Sequence, residues 1–212
     1  MFSTLRLPFR WLSSARRSAP SDERAAELRF AALADAHVDA IYRTARRLGA
    51  RAGDVEDLVQ EVLVVLARRL SDIEPGKERG FALATVARVA SEFRRREHRR
   101  REELVAELDG EACLHPLAAV APAGGEQRLE HAEALELLRA GLEAMTEAQR
   151  VTFVLFELEE LRASEIAAEL GVAEAAVVSR LQRARAVMRR VRERRARSCS
   201  PSHGQAEQES QP

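Results

Sequence analysis

Apolar positions recur along this chain at steps of three and four residues, the spacing of one face of an α-helix. From Asp22 to Leu48 the series Leu28, Phe30, Leu33, Val38, Ile41, Tyr42, Ala45 and Leu48 predicts one or two amphipathic helices ending near Gly49. A second segment, Gly53 to Leu70, opens with acidic residues suited to the positive end of a helix and carries Leu58, Val62, Val65 and Leu66 on one stripe. Pro75 and Gly76 mark a loop. A third helix is predicted from about Phe81 to Arg101, with Leu83, Val86, Ala90 and Phe93 facing inward and Arg88, Glu92, Arg95 and Arg99 facing out. That spacing makes Phe93 a core residue.

Between about Leu104 and Gly125 the periodicity fails, Pro116, Pro122 and Gly124-Gly125 appear, and Glu107, Asp109 and Glu111 add acid. Helical patterning returns with Leu135, Leu137, Leu138 and Leu142, breaks near Met145 and restarts after Thr146, whose spacing to Gln149 fits a capping box. The expected fold is all-α: two helical domains joined by a flexible acidic linker, the second a helix-turn-helix. The expected divisions are an N-terminal extension over 1–21, a first domain over 22–103, a linker over 104–128, a second domain over 129–197 and a disordered tail over 198–212. The first twenty residues superficially resemble a transit peptide, but Arg6 and Arg10 interrupt any signal-peptide core, and they are read as a flexible extension.

The run SEIAAELGVAEAAVVSRLQRARAVMRR predicts the helix-turn-helix in detail. Ser164 is the expected N-cap of a short helix reaching Leu170, Gly171 supplies a left-handed turn, and a long helix follows. In that helix Val177, Leu181, Ala184, Met188 and Val191 form the packing stripe, leaving Arg180, Arg183, Arg185, Arg189 and Arg190 on other faces for phosphate. Ala167 and Ala168 allow the two helices to cross closely. A helical hairpin with a merely solvated arginine face is the plainer alternative.

Composition sharpens this picture only in places. Ala, Leu, Glu and Arg dominate, aromatics are 4%, and 34 basic side chains balance 34 acidic ones, so the charge that matters is local. Lys77 is the one lysine. Cys113 and Cys199 form no C-x-x-C pair and have no His at ligand spacing, which argues against a structural disulfide or zinc site. No uncharged stretch approaches the roughly 18 apolar residues of a membrane span, and a cytoplasmic setting without membrane insertion is expected. The histidines are scattered, and no phosphate loop or nucleophile motif appears, so neither an enzyme nor a cofactor is expected.

From Met145 onward the residues MTEAQR, SEIAAELGV and VVSRLQRAR closely resemble the promoter-reading C-terminal domain of bacterial RNA polymerase sigma factors of the extracytoplasmic-function (ECF) type. The first half is similar to the same family, because GDVEDLVQEVLVVLARRL carries its D-x-E-D-L-v-Q-e-v signature in Asp54, Glu56, Asp57, Leu58, Gln60 and Glu61. Asp54, Asp57 and Glu61 also share one helical strip by spacing alone, suited either to a basic helical partner or to solvent.

The resemblance implies a sigma factor that binds core RNA polymerase and directs transcription initiation. Asp54, Asp57, Leu58, Gln60 and Glu61 would meet the clamp helices of the largest polymerase subunit. Phe81, Arg88, Glu92, Arg95 and Arg96 would read and open the minus-ten element, with Arg88 standing where Asn is usual and Glu92 where Asp is. Ser179, Arg180, Arg183 and Arg185 would contact the minus-thirty-five element in the major groove. Here the family commonly has Gly-Thr-Val-Lys, and this chain has Ala175, Ala176, Val177 and Val178. Promoter DNA and core polymerase are the implied partners, and the family is often restrained by an anti-sigma factor. The acidic linker fits a segment threaded through polymerase channels and equally a spacer that needs only reach. The alternative is a helix-turn-helix regulator acting without core polymerase.

Overall fold

The structure, a computed structural model, describes residues 20–51, 53–105 and 125–199. The extension before residue 20, the segment 106–124 that holds most of the expected linker together with Cys113, and the tail from residue 200 lie outside them. The described residues are helical, in the order α1 (Pro20–Arg47), α2 (Val55–Arg68), α3 (Glu78–Val105), α4 (Gly125–Glu143), α5 (Glu147–Phe153), α6 (Ala163–Leu170) and α7 (Glu174–Cys199). The periodic stretch from Asp22 is therefore one helix, and α4 begins at Gly125, inside the expected linker and four residues before 129.

The first group, α1 to α3, is mutually packed, each helix touching the other two. Ile41, Ala45 and Leu48 of α1 meet Val55, Leu58, Val62 and Leu66 of α2 and Leu83, Val86 and Ala90 of α3 in one buried core. Val55, Val59 and Leu63 are buried beside Leu58, Val62 and Leu66, so the apolar face of α2 is wider than the predicted stripe, while Val65 of that stripe is half-exposed. The loop before α3 is tied down by Arg29, which donates to the carbonyl of Leu70 at 3.0 Å and pairs with Glu78 at 3.7 Å. Phe93 is half-buried against the core, as its spacing predicts.

In the second group α7 is the central element, touching α4, α5 and α6. Val177, Leu181, Ala184 and Val191 are buried along it and Met188 is partly so. α4 approaches α7 at Gly141, where an added Cβ would lie 1.9 Å from the sulfur of Met188. The break at Met145 is capped as the sequence predicts: the Thr146 hydroxyl accepts from the backbone N–H of Gln149 at 3.4 Å, and the Gln149 side chain accepts from the N–H of Thr146 at 3.0 Å. Gly171 takes the left-handed conformation, φ 65° and ψ 38°.

Two local expectations need correction. Ser164 is not the N-cap of α6, because the helix begins one residue earlier and Arg162 holds the cap position, its backbone N–H donating to the Glu165 carboxylate at 2.8 Å. A glutamate three residues into a helix can supply the missing acceptor without a capping hydroxyl. Ala168 is exposed, so Ala167 alone supplies the close crossing.

The two groups also touch each other, chiefly through α3 and α6, and their buried apolar residues form one continuous cluster.

Candidate nucleic-acid interface

Three surfaces carry the residues singled out from the sequence. On α2, Asp57 and Gln60 are exposed and Asp54 and Glu61 half-exposed, one carboxylate-rich strip on a helix whose other side is fully packed. Leu58 does not belong to that strip. It is 1% exposed and sits in the core, so a partner could reach it only by unpacking α2; the motif names the residue, but helical phase turns it inward. Its place on the surface is taken by Val64, 45% exposed and one turn beyond Gln60, which no acidic signature would identify but which i, i+4 spacing from Gln60 does.

On α3, Arg88, Glu92, Arg95 and Arg96 are exposed and Phe81 is half-buried against the core. The charges of Arg88, Glu92 and Arg96 are already engaged. The Arg96 guanidinium lies 3.4 Å from Glu92 and 3.6 Å from Glu61, so it bridges α3 to the acidic strip of α2. Arg88 donates to the carbonyl of Glu169 at the end of α6. Arg94, on the flank, donates to the carbonyl of Leu48 and pairs with Glu147 at 3.0 Å. The Thr85 hydroxyl turns back to the carbonyl of Phe81 at 2.8 Å, satisfied within its own helix.

On α7, Arg183 and Ser179 stand together, the guanidinium donating to the hydroxyl at 2.9 Å, with Arg180 half-exposed beside them. Gln182 is exposed within the same turn, and Ala175 and Ala176 keep the start of the helix slim. Gln182 was not among the expected contacts, yet a glutamine amide is the side chain that matches adenine bidentately in the major groove. Arg185 stands apart from this set. Its Nε donates to Glu157 at 2.6 Å and its guanidinium lies 5.7 Å from the centre of the Phe156 ring. That pairing holds Arg185 back against the turn after α5.

A second set of residues, absent from the sequence reading, gathers where the two groups meet. Glu159, in the turn between α5 and α6, is 1% exposed. Arg47 of α1 donates to one of its carboxylate oxygens at 2.6 Å, and Arg79 of α3 reaches the other at 3.2 Å and the Glu159 carbonyl at 2.6 Å. Nearby, burial pushes the Glu147 carboxyl up, but a hydrogen bond from Ser91 and the charge of Arg94 outweigh it, so the group is held below its ordinary range. Burial pushes the Glu169 carboxyl up against the pull of Arg88 and Lys77. Burial, aided by Arg94, lowers the Arg150 guanidinium, which donates to the carbonyl of Leu142 at 2.7 Å. Among the described residues no group of His, Cys, Asp and Glu is placed to hold a metal ion, and no helix is long and apolar enough to cross a membrane.

Comparison with known proteins matches both groups of helices. Residues 33–100, which hold most of α1 and all the residues singled out on α2 and α3, match the sigma-70 region 2 family model. Residues 135–188, which hold the helix-turn-helix, match the sigma-70 region 4 model. The chain is 30% identical over 155 residues to a Mycolicibacterium smegmatis protein named ECF RNA polymerase sigma factor SigE, covering 72% of this chain but just 57% of the relative's length. Among solved structures, a Bartonella quintana sigma factor RpoE bound to the anti-sigma factor NepR superposes with a TM-score of 0.58 at 17% identity, over 82% of this chain and 97% of that one. CnrH in complex with the cytosolic domain of CnrY gives 0.53 at 23% identity, over 81% and 90%. At those identities the two structures speak for the fold. With region 2 and region 4 models matching in order on one all-helical chain, the protein belongs to the ECF sigma factors of the sigma-70 family.

Proposed function

We propose that this chain is a promoter-specificity subunit: it docks on core RNA polymerase through the outer strip of α2 and directs initiation by reading DNA with α3 and α7. The observation that carries this is that one chain presents a carboxylate-rich helix face, Asp57, Gln60 and half-exposed Glu61, together with a complete helix-turn-helix whose long helix offers Ser179, Gln182 and Arg183 to solvent. The first face suits a basic helical surface by charge. The second has a small-residue entry, a polar reading face and the arginines of its C-terminal half for phosphate.

The division of labour follows from chemistry. Arg183 can bind guanine bidentately or hold phosphate, and Gln182 can read adenine, each good bidentate pair giving about 1–3 kcal/mol of discrimination. On α3, Arg88, Arg95 and Arg96 would hold the backbone near the downstream element while Phe81 offers a ring for an unstacked base. The reading assigns the chain no bond-making step; the polymerase does the chemistry. Its partners are core polymerase, promoter DNA and a restraining protein of the anti-sigma class.

The test is transcription in vitro with purified core polymerase. Adding the chain should give promoter-dependent initiation, and Asp57→Arg should weaken polymerase binding at least tenfold, about 1.4 kcal/mol, while the protein's binding to upstream-element DNA is retained. DNA binding with no affinity for polymerase would return the chain to the reading of an independent regulator.

A further inference from the structure

We propose that the free chain locks itself shut: the turn bearing Glu159 is a charge clasp that holds the helix-turn-helix group against α3, and polymerase must open it before both promoter elements can be read. The silencing part of this inference rests on the sigma factor reading above; the clasp itself does not.

Glu159 belongs to the second group, while Arg47 and Arg79, its two arginine partners, both belong to the first. The backbone is shaped to deliver it. Val154–Leu158 is a π turn, in which the N–H of Glu159 reaches back five residues to the carbonyl of Val154 at 3.0 Å and that of Leu161 reaches six back to Leu155 at 3.0 Å. Glu160 then takes φ 56°, a left-handed conformation that non-glycine residues rarely adopt. A π turn followed by a strained residue is a feature seen at functional positions more than in plain connections.

The flank of α3 is prepared for this contact. Gly80, Ala84, Ala87 and Ser91 recur on it at helical spacing; Ala84 and Ala87 are buried, and a Cβ added at Gly80 would lie 3.9 Å from Cγ of Glu169 on α6. Beyond these small residues Arg88 closes on the end of α6 and Arg94 on Glu147 at the start of α5. Closure therefore ties up Arg88, one of the residues assigned to the downstream element, and covers the side of α3 next to the others.

A buried carboxylate between two guanidiniums is near balance with the same groups in water, because desolvation offsets most of the attraction. Such a contact adds little net stability when complete, but loss of one partner leaves the others buried and unpaired, so it holds closure together with the apolar contact between α3 and α6. Reach makes release necessary. The minus-thirty-five and minus-ten elements lie about 85 Å apart along B-form DNA at roughly 3.4 Å per base pair, whereas a compact chain of about 200 residues is on the order of 40 Å across. The closed form cannot touch both.

The experiment uses the full-length chain and small-angle X-ray scattering. The wild type should scatter as one compact particle. Glu159→Gln, and separately Arg47→Gln with Arg79→Gln, should expand it with helicity unchanged by circular dichroism, and both should bind core polymerase about tenfold more tightly because the closed fraction no longer competes. A wild-type chain that is already extended overturns the clasp, as do variants as compact as the wild type. Expansion without tighter polymerase binding overturns the silencing role. If the variants lose helicity, Gly80→Cys with Glu169→Cys, in a chain whose Cys113 and Cys199 are Ser, decides the matter: the disulfide should form under mild oxidation, and its failure to form would count against closure. A chain that never binds polymerase in any form refutes the sigma reading, while the scattering still reports the clasp.

Discussion

The two arginine-rich helices, α3 and α7, look alike in sequence and differ in what their guanidinium groups touch. On α3, Arg88 is bonded to α6, Arg94 to Glu147 and the end of α1, and Arg96 to Glu61 and Glu92. On α7, Arg183 leans on Ser179 of its own helix and faces solvent. Positive charge on a helix thus measures capacity for phosphate, and the contacts decide whether that capacity is open or spent. In this structure the basic face of α7 is open and that of α3 is partly occupied by its neighbours.

The largest effects should come from breaking the open side. Arg183→Ala should weaken binding to upstream-element duplex by about 1–3 kcal/mol and relax preference at the base it contacts, in gel-shift titrations of the full chain. An unchanged affinity would move recognition to another face of α7. Gly171→Val forces a β-branched residue into a left-handed turn and should destabilise the chain by about 1–2 kcal/mol, read as a lower midpoint in urea. Arg185→Ala should cost the same DNA less than Arg183→Ala, because Arg185 is tied to Glu157 and the Phe156 ring; its loss should instead cost at most about 1 kcal/mol of stability. Equal losses of affinity in the two variants would erase the distinction drawn between them.

The smallest effect concerns the closed side and is one of pH. Glu147, held below the ordinary carboxylate value of 4.5, adds stability that is present above that value and lost as pH falls through its lower folded one. Glu169, pushed above it, works the other way: its contribution is present at low pH and is lost as pH rises through its raised value. Glu147→Gln should therefore flatten the acid limb of stability against pH, and Glu169→Gln should raise stability slightly at neutral pH. The reverse pattern in acid-denaturation curves would show that these carboxylates do not face the partners described.

The helices and the helix-turn-helix were legible because each repeats a local signal: apolar residues at three- and four-residue steps, Thr146 with Gln149, Gly171 at a turn. Fine placement was less so. Leu58 lies inside a motif whose neighbours face outward, and α2 buries residues over so wide an arc that its stripe could not be bounded from spacing alone. Arg162 replaces Ser164 as a cap because Glu165 reaches back to it, a choice that either residue would have allowed. The seam was not legible at all. Arg47 and Glu159 are separated by 112 positions and Arg79 and Glu159 by 80, and nothing periodic links them.

The π turn at Val154–Leu158 decides where the chain leaves the helix. It holds one residue more than an α-helical turn would, so winding the same residues as ordinary α-helix would turn Glu159 by about 100° around the axis. Its carboxylate would then point away from Arg47 and Arg79 with its own chemistry untouched. How tightly this one turn is wound, as much as residue identity, sets whether Glu159 meets its two arginines.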